Sequence, residues 1–123
     1  MRDLFDDMDR LIDLTLTPKA YMNLSKGYWI PPVDIYETSD EIIVYVEIPG
    51  VQKSDINLTY RNGYLVISGE RKQLYPEYLT ALHQMEMESG RFLRKIRVTI
   101  DIDDDNINAE YREGILEIKL PKR

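Results

Sequence analysis

A chain of 123 residues is long enough to bury a core of its own and short enough to form one domain. Its net charge of −6, from 22 acidic and 16 basic side chains, argues against nucleic acid or an anionic membrane as the main partner. With no cysteine there is neither disulfide framework nor thiol chemistry, which fits a cytoplasmic protein, and no apolar run approaches the roughly 20 residues of a spanning helix.

The first residues are acidic and carry no apolar signal-peptide core. Residues 2–14 instead place Leu4, Phe5, Met8, Leu11, Ile12 and Leu14 on a mostly helical spacing, with Asp and Arg between them. That spacing predicts a short amphipathic helix with an apolar stripe. The stripe has two possible fates: packing on the domain edge, or burial against another chain or a client. Thr17-Pro18 ends the helix, and Lys19–Ile30 reads as an irregular linker that closes on Tyr28-Trp29-Ile30. Residues 1–30 thus form an arm, and Pro31-Pro32 forces an extended entry into a domain over 31–121, with 122–123 left as a tail.

Strands follow in quick succession. Val33–Glu37 alternates polar and apolar residues, Thr38-Ser39-Asp40 turns, and Glu41–Ile48 is the longest β-branched run, stopped by Pro49-Gly50. Asp55–Tyr60 and Tyr64–Gly69 flank Asn62-Gly63, a strong hairpin signal because both residues tolerate positive φ. Lys72–Ser89 is long for a connection in a compact domain, and such loops are usually functional or reach outside it. Within it, Tyr78–Met87 could be a short strand or a helical turn. Phe92–Ile100 resumes as a strand that places Arg94 on a face shared with Phe92, Ile96, Val98 and Ile100. Asp101–Asn106 is an acidic turn. Ala109–Arg112, a turn at Glu113-Gly114, and alternating Leu116, Ile118 and Leu120 make a second hairpin that stops at Pro121. Two such hairpins point to an all-β fold: an immunoglobulin-like antiparallel sandwich of seven or eight strands, with the short N-terminal helix outside it.

Enzyme chemistry fails on inventory. His83 is the only histidine, with no cysteine to activate and no geometry that would make it part of a Ser-His-Asp triad. The six glycines form neither a phosphate-binding loop nor a dinucleotide fingerprint, so no cofactor is expected. Asp101, Asp103 and Asp105 mimic the start of a calcium loop. Counting from Asp101, however, puts Asn106 where that loop needs glycine and Arg112 where it needs the bidentate glutamate. A solvated acidic turn fits better, and no metal site is expected.

Taken in order, these pieces resemble the α-crystallin domain of the small heat-shock proteins. The resemblance is carried by Pro32–Glu37, Glu47-Ile-Pro49-Gly50-Val51, Leu65–Arg71, Glu86, Gly90, Phe92 and Arg94, and by Ala109, Gly114, Ile115, Leu116 and Leu120-Pro121. It implies an ATP-independent holdase that binds partly unfolded proteins and suppresses their aggregation. It also implies a dimer made by exchanging a strand, here within about Ala81–Glu88, so that His83, Met85, Glu86, Met87 and Arg94 would lie at the interface. Arg94 would pair there with an acidic group of the partner. A flap packed on its own chain is the alternative.

By the same resemblance, an apolar groove lined by Ile56, Leu58 and Tyr60, between Asp55–Tyr60 and Ile107–Arg112, would dock apolar segments of neighbouring chains. Ordinary core packing is the other reading for each of the three. The client-binding surface would be the Leu4/Phe5/Met8/Leu11/Ile12 stripe together with the groove. Met87 and Thr99 depart from the family's usual arginine and apolar residue. The chain ends Pro121-Lys122-Arg123 without an Ile-x-Ile tail, so either a tail was removed or assembly beyond the dimer takes another route. A co-chaperone sandwich of the CS-domain type is the rival reading; such domains typically lack both the long loop and the arginine-bearing strand.

Overall fold

The structure, a computed structural model, describes residues 27–123. The stripe Leu4, Phe5, Met8, Leu11 and Ile12, and the helix expected to carry it, lie outside the described residues. Seven strands run in chain order among the described residues: β1 (Val33–Glu37), β2 (Glu41–Glu47), β3 (Ile56–Arg61), β4 (Tyr64–Arg71), β5 (Gly90–Arg97), β6 (Asn108–Arg112) and β7 (Ile115–Pro121). They form two antiparallel sheets, one ordered β1-β2-β7-β6 and the other β3-β4-β5. The fold is the expected all-β sandwich.

Local chemistry sets the turns. Asn62 and Gly63, and likewise Glu113 and Gly114, take positive φ, so both hairpins close through two consecutive left-handed residues. Such turns match the twist of the flanking strands. The β1–β2 turn is held by Thr38, whose N–H donates to the Glu41 carbonyl while its hydroxyl oxygen accepts from the Asp40 and Glu41 N–H groups.

The alternation read in β2 and β7 is the alternation buried. Val44, Val46, Ile118 and Leu120 are fully buried and meet Leu65, Ile67 and Phe92 from the opposite sheet. The register pairs Val44 with Ile118 and Leu65 with Ile96, so the apolar faces of both sheets point at each other. Tyr111 adds a polar tie, its hydroxyl donating to the Ile48 carbonyl at 2.8 Å.

Two details were not visible in the alternation. Tyr28–Ile30 is irregular in backbone, yet Trp29 is buried in the core and its ring lies 5.2 Å from that of Phe92. Its N–H donates to the Arg91 carbonyl and its own carbonyl accepts from the Leu93 N–H, so this segment runs parallel along the free edge of β5. In addition, β5 ends at Arg97 and buries both faces: Leu93 and Lys95, on the side away from the core, are as inaccessible as their inward neighbours.

Candidate functional site: open edges, groove and loop

Among the described residues β1 is the last strand of its sheet, and two bonds fix the phase of its ladder to β2. The Glu47 N–H donates to the Pro32 carbonyl and the Thr38 N–H to the Glu41 carbonyl. Antiparallel bonding alternates along a strand, so Asp34 and Tyr36 face β2 through their backbone groups. The N–H and C=O of Val33, Ile35 and Glu37 then point outward along the open edge. Ile35 is also half exposed, although its side chain lies on the core side of the sheet opposite Val44. An edge of this kind is a template for a further strand.

The loop over 72–89 holds neither strand nor helix in the single chain. It displays Leu74, Tyr75, Tyr78, Leu79, Leu82, Met85 and Met87, all more than half exposed. With Pro49, Gly50 and Arg71 the loop encloses an open, largely apolar cavity of about 720 Å³. His83 and Glu86 are exposed in the same loop, and Glu86 accepts from the Gln84 side-chain amide. Both ends of the loop are tied by Arg71. Its guanidinium Nε donates to the Glu88 carbonyl at 3.0 Å and its Nη1 to the Pro49 carbonyl at 3.1 Å, while its plane lies 4.2 Å from the Trp29 ring centroid.

Arg94 faces the core side of its sheet, opposite Ile67, and is half-buried. Its Nη1 reaches the Pro31 carbonyl at 3.5 Å, which puts it where the chain crosses from the edge of β5 to the start of β1. Within the single chain the structure therefore places Arg94 near the β1 entry and His83, Met85, Glu86 and Met87 on the loop.

Ile56, Leu58 and Tyr60 line the core side of β3, the edge strand of the three-stranded sheet. All three are half-buried and pack on the core cluster, as do Ile107 and Tyr111 beside and within β6, the edge of the other sheet. They are core residues at the rim of the sandwich.

Burial pushes the Tyr60 phenol above its ordinary 10.0, with the Asp104 and Asp101 carboxylates adding to the effect. The folded state therefore holds this proton more tightly than the unfolded state. Stability is fully present below about pH 10 and is lost as pH rises through the raised value. Tyr45, hydrogen-bonded to Glu117, is raised as well. Tyr60→Phe is thus expected to remove part, not all, of the alkaline loss of Tm, read by thermal melts between about pH 8 and about pH 11. An unchanged pH profile would mean that the Tyr60 phenol does not drive it.

The acidic turn brings carboxylate oxygens of Asp103, Asp104 and Asp105 within 4.8 Å of one another. Asp103 accepts from the Asn106 amide at 2.7 Å and Asp104 pairs with Arg123 at 3.4 Å, so two of the three are engaged inside the fold.

Comparison with known proteins places this architecture. Residues 34–123 match the Hsp20/alpha crystallin family. The chain belongs to that family. Among relatives of this Hsp20/α-crystallin chain, heat shock protein 16 of Schizosaccharomyces pombe is 35% identical over 124 residues, covering 99% of this chain and 82% of the relative. Small heat shock protein C2 of Rickettsia felis is 35% identical over 103 residues, covering 84% of this chain and 67% of the relative. Among solved structures, hspA of Xanthomonas axonopodis superposes with a TM-score of 0.71 at 35% identity, over 79% of this chain and 97% of that one. A small heat-shock protein of Xylella fastidiosa, described as having a distinct high order structure, gives 0.70 at 33% identity, over 79% and 89%. The resemblance read from Pro32 to Pro121 is a family relationship.

Proposed function

We propose that this Hsp20/α-crystallin chain is an ATP-independent holdase that binds partly unfolded proteins and keeps them from aggregating. Family membership and small heat-shock relatives support a chaperone role. The observation that carries the mechanism is the loop: seven large apolar side chains exposed on one segment, beside a sandwich whose core is otherwise closed. Contiguous apolar surface of that kind is a contact surface for other chains.

In this reading the loop becomes a strand only on a partner. Part of Ala81–Glu88 adds to the partner's open β1 edge, which offers the backbone groups of Val33, Ile35 and Glu37. His83, Met85, Glu86 and Met87 enter that interface, and Arg94, lying at the entry to β1, meets an acidic group of the partner. The rim of Ile56, Leu58 and Tyr60 accepts short apolar segments of neighbouring chains. Clients are covered by the stripe of Leu4, Phe5, Met8, Leu11 and Ile12, and the acidic surface keeps the complex soluble. The work is done without nucleotide, metal or catalysis, in the cytoplasm. No helix among the described residues is long and apolar enough to cross a membrane.

The test is light scattering by a heat-labile client with and without this chain, in the absence of nucleotide. Suppression at near-stoichiometric amounts is expected, and no suppression would refute the holdase. Replacing Leu4, Phe5 and Met8 by serine in the full chain is expected to raise the amount needed by about tenfold or more, because full burial of even one such side chain is worth about 1.5–3 kcal/mol. Unchanged protection would take the client role away from the arm.

A further inference from the structure

Sulfur in this chain is thioether only: there is no cysteine, and the five methionines stand at 1, 8, 22, 85 and 87. Met85 and Met87 are the two among the described residues, and both lie on the 72–89 loop, 59% and 74% exposed. Both also line its open cavity, so a small solute reaches either sulfur from solvent. Methionine suits a contact surface because its flexible thioether adapts to irregular neighbours. The same sulfur is the part of the side chain that oxidants attack.

Two residues apart, Met85 and Met87 leave an extended strand on the same face, with His83, while Gln84 and Glu86 leave on the other. Oxidation of both would therefore change one whole face of such a strand. In the single chain the surroundings of these sulfurs are polar. The Gln73 side-chain amide donates to Met85 Sδ at 3.7 Å, a weak bond to a weak acceptor. Arg71, Lys72 and Gln84 line the same cavity. A sulfoxide oxygen accepts far more strongly than a thioether, and donors for it already stand at the loop.

We propose that Met85 and Met87 are a peroxide-modified site whose oxidation holds the loop on its own chain and opposes strand exchange. This rests on the exchanged-strand reading of Ala81–Glu88. The step needs only a hydroperoxide, of which hydrogen peroxide is the simplest. A lone pair of Sδ attacks one peroxide oxygen, and the O–O bond breaks as the S–O bond forms. The departing hydroxide takes up the proton left on the transferred oxygen, so the products are a sulfoxide and water. The sulfur loses two electrons and the peroxide gains them. Two effects then add. On the loop's own chain, the new oxygens accept from the Gln73 amide and from the cationic side chains lining the cavity. On a partner's edge, a face that was apolar has become polar and must shed its water to pair, which opposes pairing. Pairing takes both residues into the interface and shields their sulfurs, so oxidation proceeds in the parted chain and then hinders it from pairing again. Reduction of the sulfoxides reverses the change.

The test treats the full chain with hydrogen peroxide and follows oxygen addition to Met85 and Met87 by peptide mass spectrometry. Sedimentation across a range of concentrations, before and after treatment, reads self-association. Oxidation of the pair is expected to weaken association by about tenfold or more, about 1.4 kcal/mol. Methionine sulfoxide reductases are expected to restore it. Met85→Leu with Met87→Leu keeps size and apolarity; it should associate as the unaltered chain does and lose the response to peroxide. Met85→Gln with Met87→Gln places a polar amide near the sulfoxide's position and should weaken association with no peroxide present. If both sulfoxides form and association is unchanged, the proposal falls. A peroxide response that persists in the leucine variant would belong to Met1, Met8 or Met22 and would equally overturn it. Ile35→Pro, which removes a donor from the β1 edge, separates this proposal from the reading beneath it. Association lost in Ile35→Pro yet indifferent to oxidation would keep the exchanged strand and refute the methionine site. Association weakened by oxidation but not by Ile35→Pro would keep the methionine site and refute the β1 edge as its partner.

Discussion

Replacing Gly69 by alanine is expected to unfold the domain or to cost it about 3 kcal/mol or more. Gly69 sits in β4 opposite Ile56 and Phe92, with its missing side chain directed into the sandwich. A Cβ there would overlap the Asp55 carbonyl oxygen and stand 2.7 Å from Cζ of Phe92. Neither obstacle can give way cheaply. The Asp55 carbonyl belongs to the backbone where a 3-10 turn hands over to β3, and the Phe92 ring is fully buried between the sheets. Relief would require shifting β3 along β4 or expelling an aromatic ring from a close-packed interior. A domain of this size has only about 5–15 kcal/mol in hand, so a single methyl group would consume a large share of it. Denaturant midpoints of Gly69→Ala and of Asn57→Ala, a nearby exposed control expected to stay within about 0.5 kcal/mol, measure the effect. Equal midpoints would show that β3 and the ring rearrange freely.

Ile35→Pro is expected to leave the sandwich folded and to weaken self-association by one to two orders of magnitude, about 1.4–2.8 kcal/mol. In β1 the Ile35 N–H points away from β2, so proline at that place removes no bond of the existing ladder. It does remove a donor from the open edge and blocks the approach of an added strand. The half-exposed Ile35 side chain, which would be covered by that strand, is lost as well. Sedimentation of the full chain across a range of concentrations reads the shift, and a melt confirms that the fold survives. If the variant associates as well as the unaltered chain, subunits are joined elsewhere than along β1, and the exchanged-strand reading fails with it.

Most of the sandwich was legible because its strands obey local rules. The alternation in Glu41–Glu47 and Ile115–Pro121, the Asn62-Gly63 and Glu113-Gly114 turns, and the stop at Pro49-Gly50 each follow from a few neighbouring residues. What escaped depends on contacts distant in sequence. Trp29 reads as part of a linker because the edge of β5 that takes its backbone bonds lies about sixty residues on. Leu93 and Lys95 read as a solvent face because period-two alternation tells one face from the other, not whether the second is covered. Gly69 carried no turn signal at all; its need for no side chain comes from a close approach of Asp55 and Phe92. Tyr78–Met87 stayed undecided between strand and helix, and alone it is neither. With no strand of the described residues beside it, the segment has no ladder to join, and its sequence alone does not impose one.

The Arg71 clamp bears on what the proposed exchange of partners would demand of the fold. One guanidinium joins the last residue of β4 to the carbonyls of Pro49 and Glu88 and rests on Trp29, so the base of the loop is fastened to the sandwich at both its ends. Were subunits joined through this loop and the β1 edge, as proposed above, they would part and rejoin with the sandwich intact, because the loop is anchored to the fold apart from its tip. Turnover of such an assembly would be a matter of breaking edge contacts, with a barrier separate from that of unfolding, and the same folded chain would serve through many rounds of trading partners.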